Sequence, residues 1–179
     1  MTGIYCKGHI QSVKSSPLDP MKYRQIDQIT SLEPGKKLTA TRTLRADEEY
    51  LNDHFPRFPV MPGVMMLEAL HQAAMWLVRA GDQFESPLVL LREVRSVKFG
   101  DFLSPGDTLE VTAEVVKEVD NKTTVKAMAT KDGRTTVTAR LVLERTVTGD
   151  PEFIGTDKDV RERSKLQFEE LFGGLTIST

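Results

Sequence analysis

The stretch from His54 to Gln72, HFPRFPVMPGVMMLEALHQ, gathers residue types that together could move protons. His54 precedes Pro56, Pro59 and Pro62, and prolines at that density disfavour helix and stiffen the loop, so a side chain there is held in place. Imidazole is the side chain best suited to accept and return a proton near neutral pH. Glu68 follows, flanked by Met66, Leu67, Ala69 and Leu70, and a carboxylate in that company is costly to bury. Desolvation is expected to raise its pKa and favour the protonated form that a general acid requires. Gln72, at i+4, lies on the same helix face and can hydrogen-bond the carboxyl group. Pro62 opens the helix behind Met61, which has no side-chain oxygen for a cap, so the N–H of Gly63 and those beyond need another acceptor. A substrate carbonyl would serve, and Gly63 lets it approach closely. Base, acid and electrophilic amide make a set for proton abstraction beside a carbonyl and departure of a β-hydroxyl.

Each residue also has a plainer reading. His54 by itself would more often be a loop histidine bonded to backbone, and Glu68 a buried helix acid paired with an arginine. His71 reads as structural or as part of a pocket rim. Met65, Met66 and Met75 suit core packing better than a cofactor box, although methionines also suit a flexible acyl tunnel. Cys6 reads as inert.

The elements that must position this stretch are legible around it. Pro62 to Ala80 is a helix with Leu67, Leu70, Ala74 and Leu77 at spacings of three and four and apolar flanks, the pattern of a buried helix. Gly81 suits the left-handed residue after its end. Upstream lie a strand-like stretch around Tyr23 to Ser31, a turn at Glu33-Pro34-Gly35-Lys36, and a strand from Lys37 to Leu44 whose mostly apolar face is interrupted by Arg42. Downstream come four strands, Leu88 to Phe99, Thr108 to Lys117, Lys122 to Thr130 and Thr135 to Arg145. Asp120-Asn121 and Asp132-Gly133 are read as hairpin turns. Strands, one long buried helix, then a meander have a simple solution: the sheet wraps around the helix, and each supplies the other's burial. Residues 1–21 read as an irregular arm, 22–146 as the domain, and 147–179 as a tail with an amphipathic helix from Lys158 to Gly173.

Composition sets outer bounds. The chain has 179 residues, 39% hydrophobic and 28% charged, ordinary for one globular domain with a real core. A formal net charge of −2 gives no global argument for nucleic acid. No apolar run approaches the ~18 residues of a membrane span. The N-terminus lacks a signal-peptide pattern, and one cysteine without a Cys/His cluster suggests neither a disulfide nor a metal site. A cytoplasmic protein is expected, with no partner membrane.

The segment HFPRFPVMPGVMMLEALHQAA closely resembles the central motif of the FabZ family of 3-hydroxyacyl-[acyl-carrier-protein] dehydratases, which runs H-F-P-G-x-P-x-M-P-G-V and continues to a glutamate-alanine pair and a glutamine. VKFGDFLSPGDTLEV and LEPGKKLTATRTL resemble further segments of that family, so the likeness spans roughly residues 22 to 145. It implies an α+β hot-dog fold, a curved antiparallel sheet wrapped around one long central helix. It implies dehydration of a (3R)-3-hydroxyacyl thioester to the trans-2-enoyl thioester in fatty acid or related lipid biosynthesis, without a cofactor. Carried over, the base falls on His54, the acid on Glu68 and the carbonyl-polarising amide on Gly63. Phe55, Arg57, Pro62, Val64 and Gln72 are the expected substrate-binding residues, with Gln72 orienting Glu68.

The resemblance further implies acyl carrier protein as the partner that presents an acyl-phosphopantetheine. It also implies a homodimer whose sites join the histidine of one subunit to the glutamate of the other, with hexamers in some members. Arg95 and Lys98 are candidate docking cations for the acidic carrier, with Arg57 and Arg79 behind them. FabA-type relatives carry aspartate where Glu68 stands, which favours the FabZ branch. Arg57 replaces a usual glycine; it would narrow the pocket, contact a phosphate or face solvent. His71 and both termini are also unusual. Two rivals stand beside this reading, a hot-dog thioesterase in which Glu68 directs water at the carbonyl, and a non-catalytic acyl-binding protein of the same fold.

Overall fold

Leu70, Ala73, Ala74 and Leu77 recur at the helical spacing, and all are fully buried in the structure, a computed structural model that describes residues 23–55, 57–148 and 156–172. They lie on helix α1, Gly63–Gly81. Six antiparallel strands curve around it: β1 Gln28–Glu33, β2 Lys37–Thr43, β3 Leu88–Phe99, β4 Thr108–Val119, β5 Lys122–Lys131 and β6 Arg134–Thr146. Their order in the sheet is β1-β2-β4-β5-β6-β3, so the chain passes from β2 through α1 to the opposite edge before the meander fills the middle.

Period-2 patterning decides which face meets the helix. Leu38, Val111, Val125, Ala127, Leu141 and Leu143 are at most 1% exposed, while their neighbours along each strand face outward. Register keeps this apolar face continuous, pairing Ala40 with Val111, Val111 with Ala129 and Val125 with Leu141. The hairpin turns carry the conformations their residues favour: Asp120, Asp132 and Gly133 have φ of 54°, 50° and 75°.

Several boundaries depart from the sequence reading. The first strand begins at Gln28 rather than near Tyr23, because the Gln25 N–H is spent on the Gln72 side chain and strand pairing starts only beyond it. Gly81 is the last helical residue and not a left-handed cap; Gln83 and Phe84 take the positive φ values instead. Its need for glycine is steric, since a Cβ there would meet the Gly35 Cα at 2.8 Å, where the β1–β2 turn crosses the helix end. The helix is also less enclosed than its composition suggests. Val64, on the first turn, is 66% exposed.

A second helix, α2, Asp157–Phe172, follows the sheet. Val160, Phe168, Leu171 and Phe172 are buried, whereas Leu166 is exposed. Phe168 packs tilted against Trp76 and edge-on to Phe84, with ring centroids 5.9 and 5.2 Å apart, and stacks with Phe172 at 5.4 Å. Arg79 is drawn into this contact, donating from Nη1 to the Ser164 hydroxyl at 2.6 Å and lying 5.9 Å from the Trp76 ring centroid. It is 7% exposed, so it is no surface docking cation. Cys6 and the whole N-terminal arm, residues 1–21, lie outside the described residues. No helix among the described residues is long and apolar enough to cross a membrane.

The Gly81–Gly35 approach separates two physical effects. Helix propensity alone would make Gly81→Ala stabilising by about 1 kcal/mol. The backbone contact predicts the opposite sign, a loss of about 1–3 kcal/mol as in other overpacked positions, read from the urea midpoint at unchanged slope.

Candidate active site

The base candidate is set by its loop. A 3-10 turn at Glu49–Asn52, which sequence patterning did not anticipate, leads into His54. His54 Nδ1 lies 2.9 Å from the Val60 carbonyl oxygen. A carbonyl can only accept, so Nδ1 carries the proton, and the neutral imidazole keeps an open lone pair on Nε2. Phe55 holds a left-handed φ of 57°, uncommon for a bulky residue, and its ring meets the imidazole edge-on with centroids 4.6 Å apart. The loop is tied down by Phe58 N–H donating to the Phe55 carbonyl at 2.7 Å and Met61 N–H to the Leu103 carbonyl at 2.8 Å.

Pro62 is the N-cap of α1, with no side-chain cap. Its carbonyl accepts from the N–H of Met65 and Met66, and no acceptor among the described residues meets the N–H of Gly63 or Val64. Over this end lies the ring of Phe99, so close that a Cβ on Gly63 would stand 3.0 Å from its Cε1. Phe55, Phe58, Val64, Phe99 and Phe102 are each more than half exposed. Apolar surface of this kind on the loops and helix start marks a binding face. Phe99 and Phe102 were not singled out from sequence, since strand alternation gives no sign of which β3 residue will reach the helix start.

Glu68, one turn further along α1, is gripped on both oxygens. Gln72 Nε2 donates to Oε1 at 2.8 Å, the contact expected from the i,i+4 spacing, and His71 Nδ1 lies 3.1 Å from Oε2. Gln72 is itself buried and fully engaged. Its Nε2 also donates to the Tyr23 carbonyl at 2.9 Å, and its Oε1 accepts from the Gln25 N–H at 2.8 Å. Gln25 Oε1 in turn accepts from Nε of the buried Arg42 at 3.1 Å, and Arg42 is balanced by Asp27 and Glu48. The cation that interrupted the apolar face of β2 is thus the far end of a polar chain reaching Glu68. That interruption was the sequence signal for it, while Tyr23 and Gln25 gave none.

The carboxyl group departs from expectation in one respect. Burial pushes the Glu68 pKa up, but the hydrogen bonds from His71 and Gln72 outweigh that cost and hold it below the usual glutamate value. The side chain is 37% exposed, so desolvation is partial. Arg57 is exposed with no partner among the described residues, and the same holds for Lys98. Arg95 is exposed but engaged by Glu93 through Nε and Nη2.

Residues 18–145 match the family model described as FabA-like domain, most of the chain. The chain belongs to the FabA-like family. Among curated relatives it is 38% identical to the 3-hydroxyacyl-[acyl-carrier-protein] dehydratase FabZ of Levilactobacillus brevis over 104 residues, covering 58% of this chain and 70% of that protein. It is 37% identical to the FabZ of Ligilactobacillus salivarius over 116 residues, covering 65% and 83%. Among solved structures, the dehydratase heterocomplex ApeI:P of Xenorhabdus doucetiae superposes with a TM-score of 0.59 at 18% identity, covering 71% of this chain and 86% of that one. The E. coli PaaI protein superposes with a TM-score of 0.54 at 18% identity, covering 66% and 78%. At such identities these structures show the hot-dog fold alone. Helix α2 lies beyond the FabA-like segment.

Two outcomes follow from this geometry. Gln72→Leu would strand the buried Gln25 N–H, costing about 1–3 kcal/mol, measurable by urea unfolding. The lowered pKa of Glu68 means its stabilisation is present above the unfolded-state pKa and lost as pH falls through the folded value. Glu68→Gln is therefore expected to flatten the pH dependence of unfolding free energy below about pH 5, around and under the usual glutamate pKa of about 4.3. Identical wild-type and variant slopes would mean the grip on Glu68 is not maintained in solution.

Proposed function

We propose that the chain dehydrates (3R)-3-hydroxyacyl thioesters carried on acyl carrier protein to trans-2-enoyl thioesters, with His54 as base and Glu68 as acid. The observation that carries the reading is the pair of proton-handling groups in one FabA-like domain, each locked by hydrogen bonds. His54 has its Nε2 open, and the Glu68 carboxyl is fixed on the helix that also offers the Gly63 amide. His54 Nε2 takes the α-proton, the Gly63 N–H stabilises charge growing on the thioester oxygen, and Glu68 protonates the hydroxyl as it leaves. Gln72 acts by orienting Glu68. Phe55, Pro62 and Val64 line the approach, and the exposed Arg57 faces solvent where a phosphopantetheine phosphate would pass. The curated relatives are themselves 3-hydroxyacyl-[acyl-carrier-protein] dehydratases.

The working unit is a homodimer in which His54 of one copy meets Glu68 of the other. Supporting this, β3 is a twelve-residue sheet edge with Leu90 and Val94 partly exposed, beside the apolar cluster around Phe99. Lys98 offers a charge to the acidic carrier, and Arg95 does so in competition with Glu93. The setting is the cytoplasm.

Turnover on carrier-linked 3-hydroxybutyryl and crotonyl thioesters, followed by enoyl absorbance with free thiol monitored, tests the reaction. His54→Ala and Glu68→Gln should each lose about 10²–10⁴-fold in kcat, the range for a lost acid or base. Thiol release in place of enoyl chemistry would make the protein a thioesterase. Co-expressing the two inactive variants tests the shared site, since statistical mixing in a closed two-fold dimer should restore about one quarter of wild-type activity. No restoration would place both residues of each site in one subunit.

A further inference from the structure

Beside Glu68 stands a residue that the proposed reaction leaves unused. His71, one helical turn on, places Nδ1 3.1 Å from Glu68 Oε2. Its other nitrogen, Nε2, is buried and meets no hydrogen-bond partner among the described residues. A histidine placed only for packing has no need to aim a ring nitrogen at a carboxylate, and a surface ion pair would not bury the second nitrogen.

The dehydration poses a difficulty that this contact resolves. Glu68 must hold a proton to release water, yet two donors press on its carboxylate and favour the ionised form. We propose that His71 and Glu68 work as one proton-holding pair, in which the proton delivered to the leaving hydroxyl rests on the imidazole and passes through Glu68.

In the loaded pair His71 is protonated on both nitrogens and Glu68 is ionised. As the C–O bond breaks, the Nδ1 proton moves to Glu68 Oε2, and Glu68 passes that same proton on to the departing oxygen, which takes the C–O electron pair. Water leaves, His71 is left neutral and Glu68 ionised. One proton has been taken from the α-carbon by His54 and one lost by the pair, so exchange with solvent at both resets the enzyme. Glu68 is 37% exposed, which gives the pair that route. The unpartnered Nε2 makes the imidazolium easy to discharge, since its second N–H has nowhere to bond.

Groups around the pair do not compete for this role. From the segment before β1 come the neutral Tyr23 carbonyl and Gln25 N–H, both taken by Gln72. From β2 the Arg42 guanidinium approaches only through Gln25, offset by Asp27 and Glu48. In the proposed dimer His54 of the second copy faces Glu68 and carries a separate proton. Among the described residues, His71 is the one charged group that acts appreciably on the Glu68 pKa.

Since the inference rests on the dehydratase reading, its test has two arms, one independent of turnover. In the kinetic arm, kcat is measured against pH on 3-hydroxybutyryl thioester for wild type, His71→Ala and His71→Asn. A pair titrates with values that belong to both members. With the imidazole in it, the pair keeps its proton to higher pH than a glutamate alone would. The basic limb should therefore move to lower pH by one pH unit or more in His71→Ala, so that the loss grows with pH. Asn can donate to Glu68 but cannot carry the proton, and should not restore the limb.

The second arm follows the Glu68 carboxyl carbon by NMR titration. With the His71 donor gone and burial remaining, its midpoint should rise in His71→Ala. Limb and midpoint thus move in opposite directions, which a packing role would not produce. A uniform loss with an unmoved limb, a wild-type profile restored by Asn, or an unmoved carboxyl midpoint would each overturn the pair. An inactive wild type with a midpoint that still rises would count against the dehydratase reading and leave the pair standing.

Discussion

Burying α1 inside the curved sheet is the constraint from which the rest follows. The helix gives Leu70, Ala73, Ala74 and Leu77 to an apolar concavity at zero exposure, and such burial is the main favourable term in folding. An interior of that kind cannot leave polar groups without partners, because an amide or carboxyl stripped of water costs free energy unless it is bonded. Gln72 meets the requirement on the polar side of the helix. Its one amide satisfies a carbonyl, a backbone N–H and the Glu68 carboxylate, and so ties the entry to β1, the central helix and the acid candidate into one rigid unit. The chain from Arg42 through Gln25 anchors that unit in β2.

His54 and Glu68 are held by different means. The histidine sits on a loop whose backbone carbonyl fixes its tautomer and leaves the other nitrogen available. The glutamate sits on a buried helix and is fixed by side chains, so its protonation depends on its neighbours rather than on burial alone. In the proposed dimer the exposed phenylalanines and the β3 edge close the space between these groups, which supplies the water exclusion that proton transfer at an α-carbon benefits from.

Helix α2 adds a layer beyond the FabA-like segment. It covers the far end of α1 with Phe168 and Phe172 and draws Arg79 into a buried contact with Ser164. Burial lowers the Arg79 pKa and Asp82 opposes the shift, so the charge is tolerated at the junction of the two helices. The extension braces the end of α1 opposite the site.

By itself the sequence determined much of this protein. The 3.6-residue stripe of α1, the period-2 strands β4 to β6, the Asp132-Gly133 turn and the His54–Gln72 motif are local signals. Each follows from how a short run of residues meets its own backbone and a single apolar face. What tertiary structure decided was wherever distant segments meet. Gly81 reads as a helix stop until Gly35 is found against it, and Arg42 reads as a blemish on a strand until Gln25 and Glu48 surround it. Phe99 becomes part of the site only because the end of edge strand β3 lies against the start of α1. The Glu68 carboxyl departs from its local context for the same reason. Its apolar neighbours in sequence predict a raised pKa, but hydrogen bonds from His71 and Gln72 act in three dimensions at about 3 Å, where charge-assisted bonding outweighs partial desolvation.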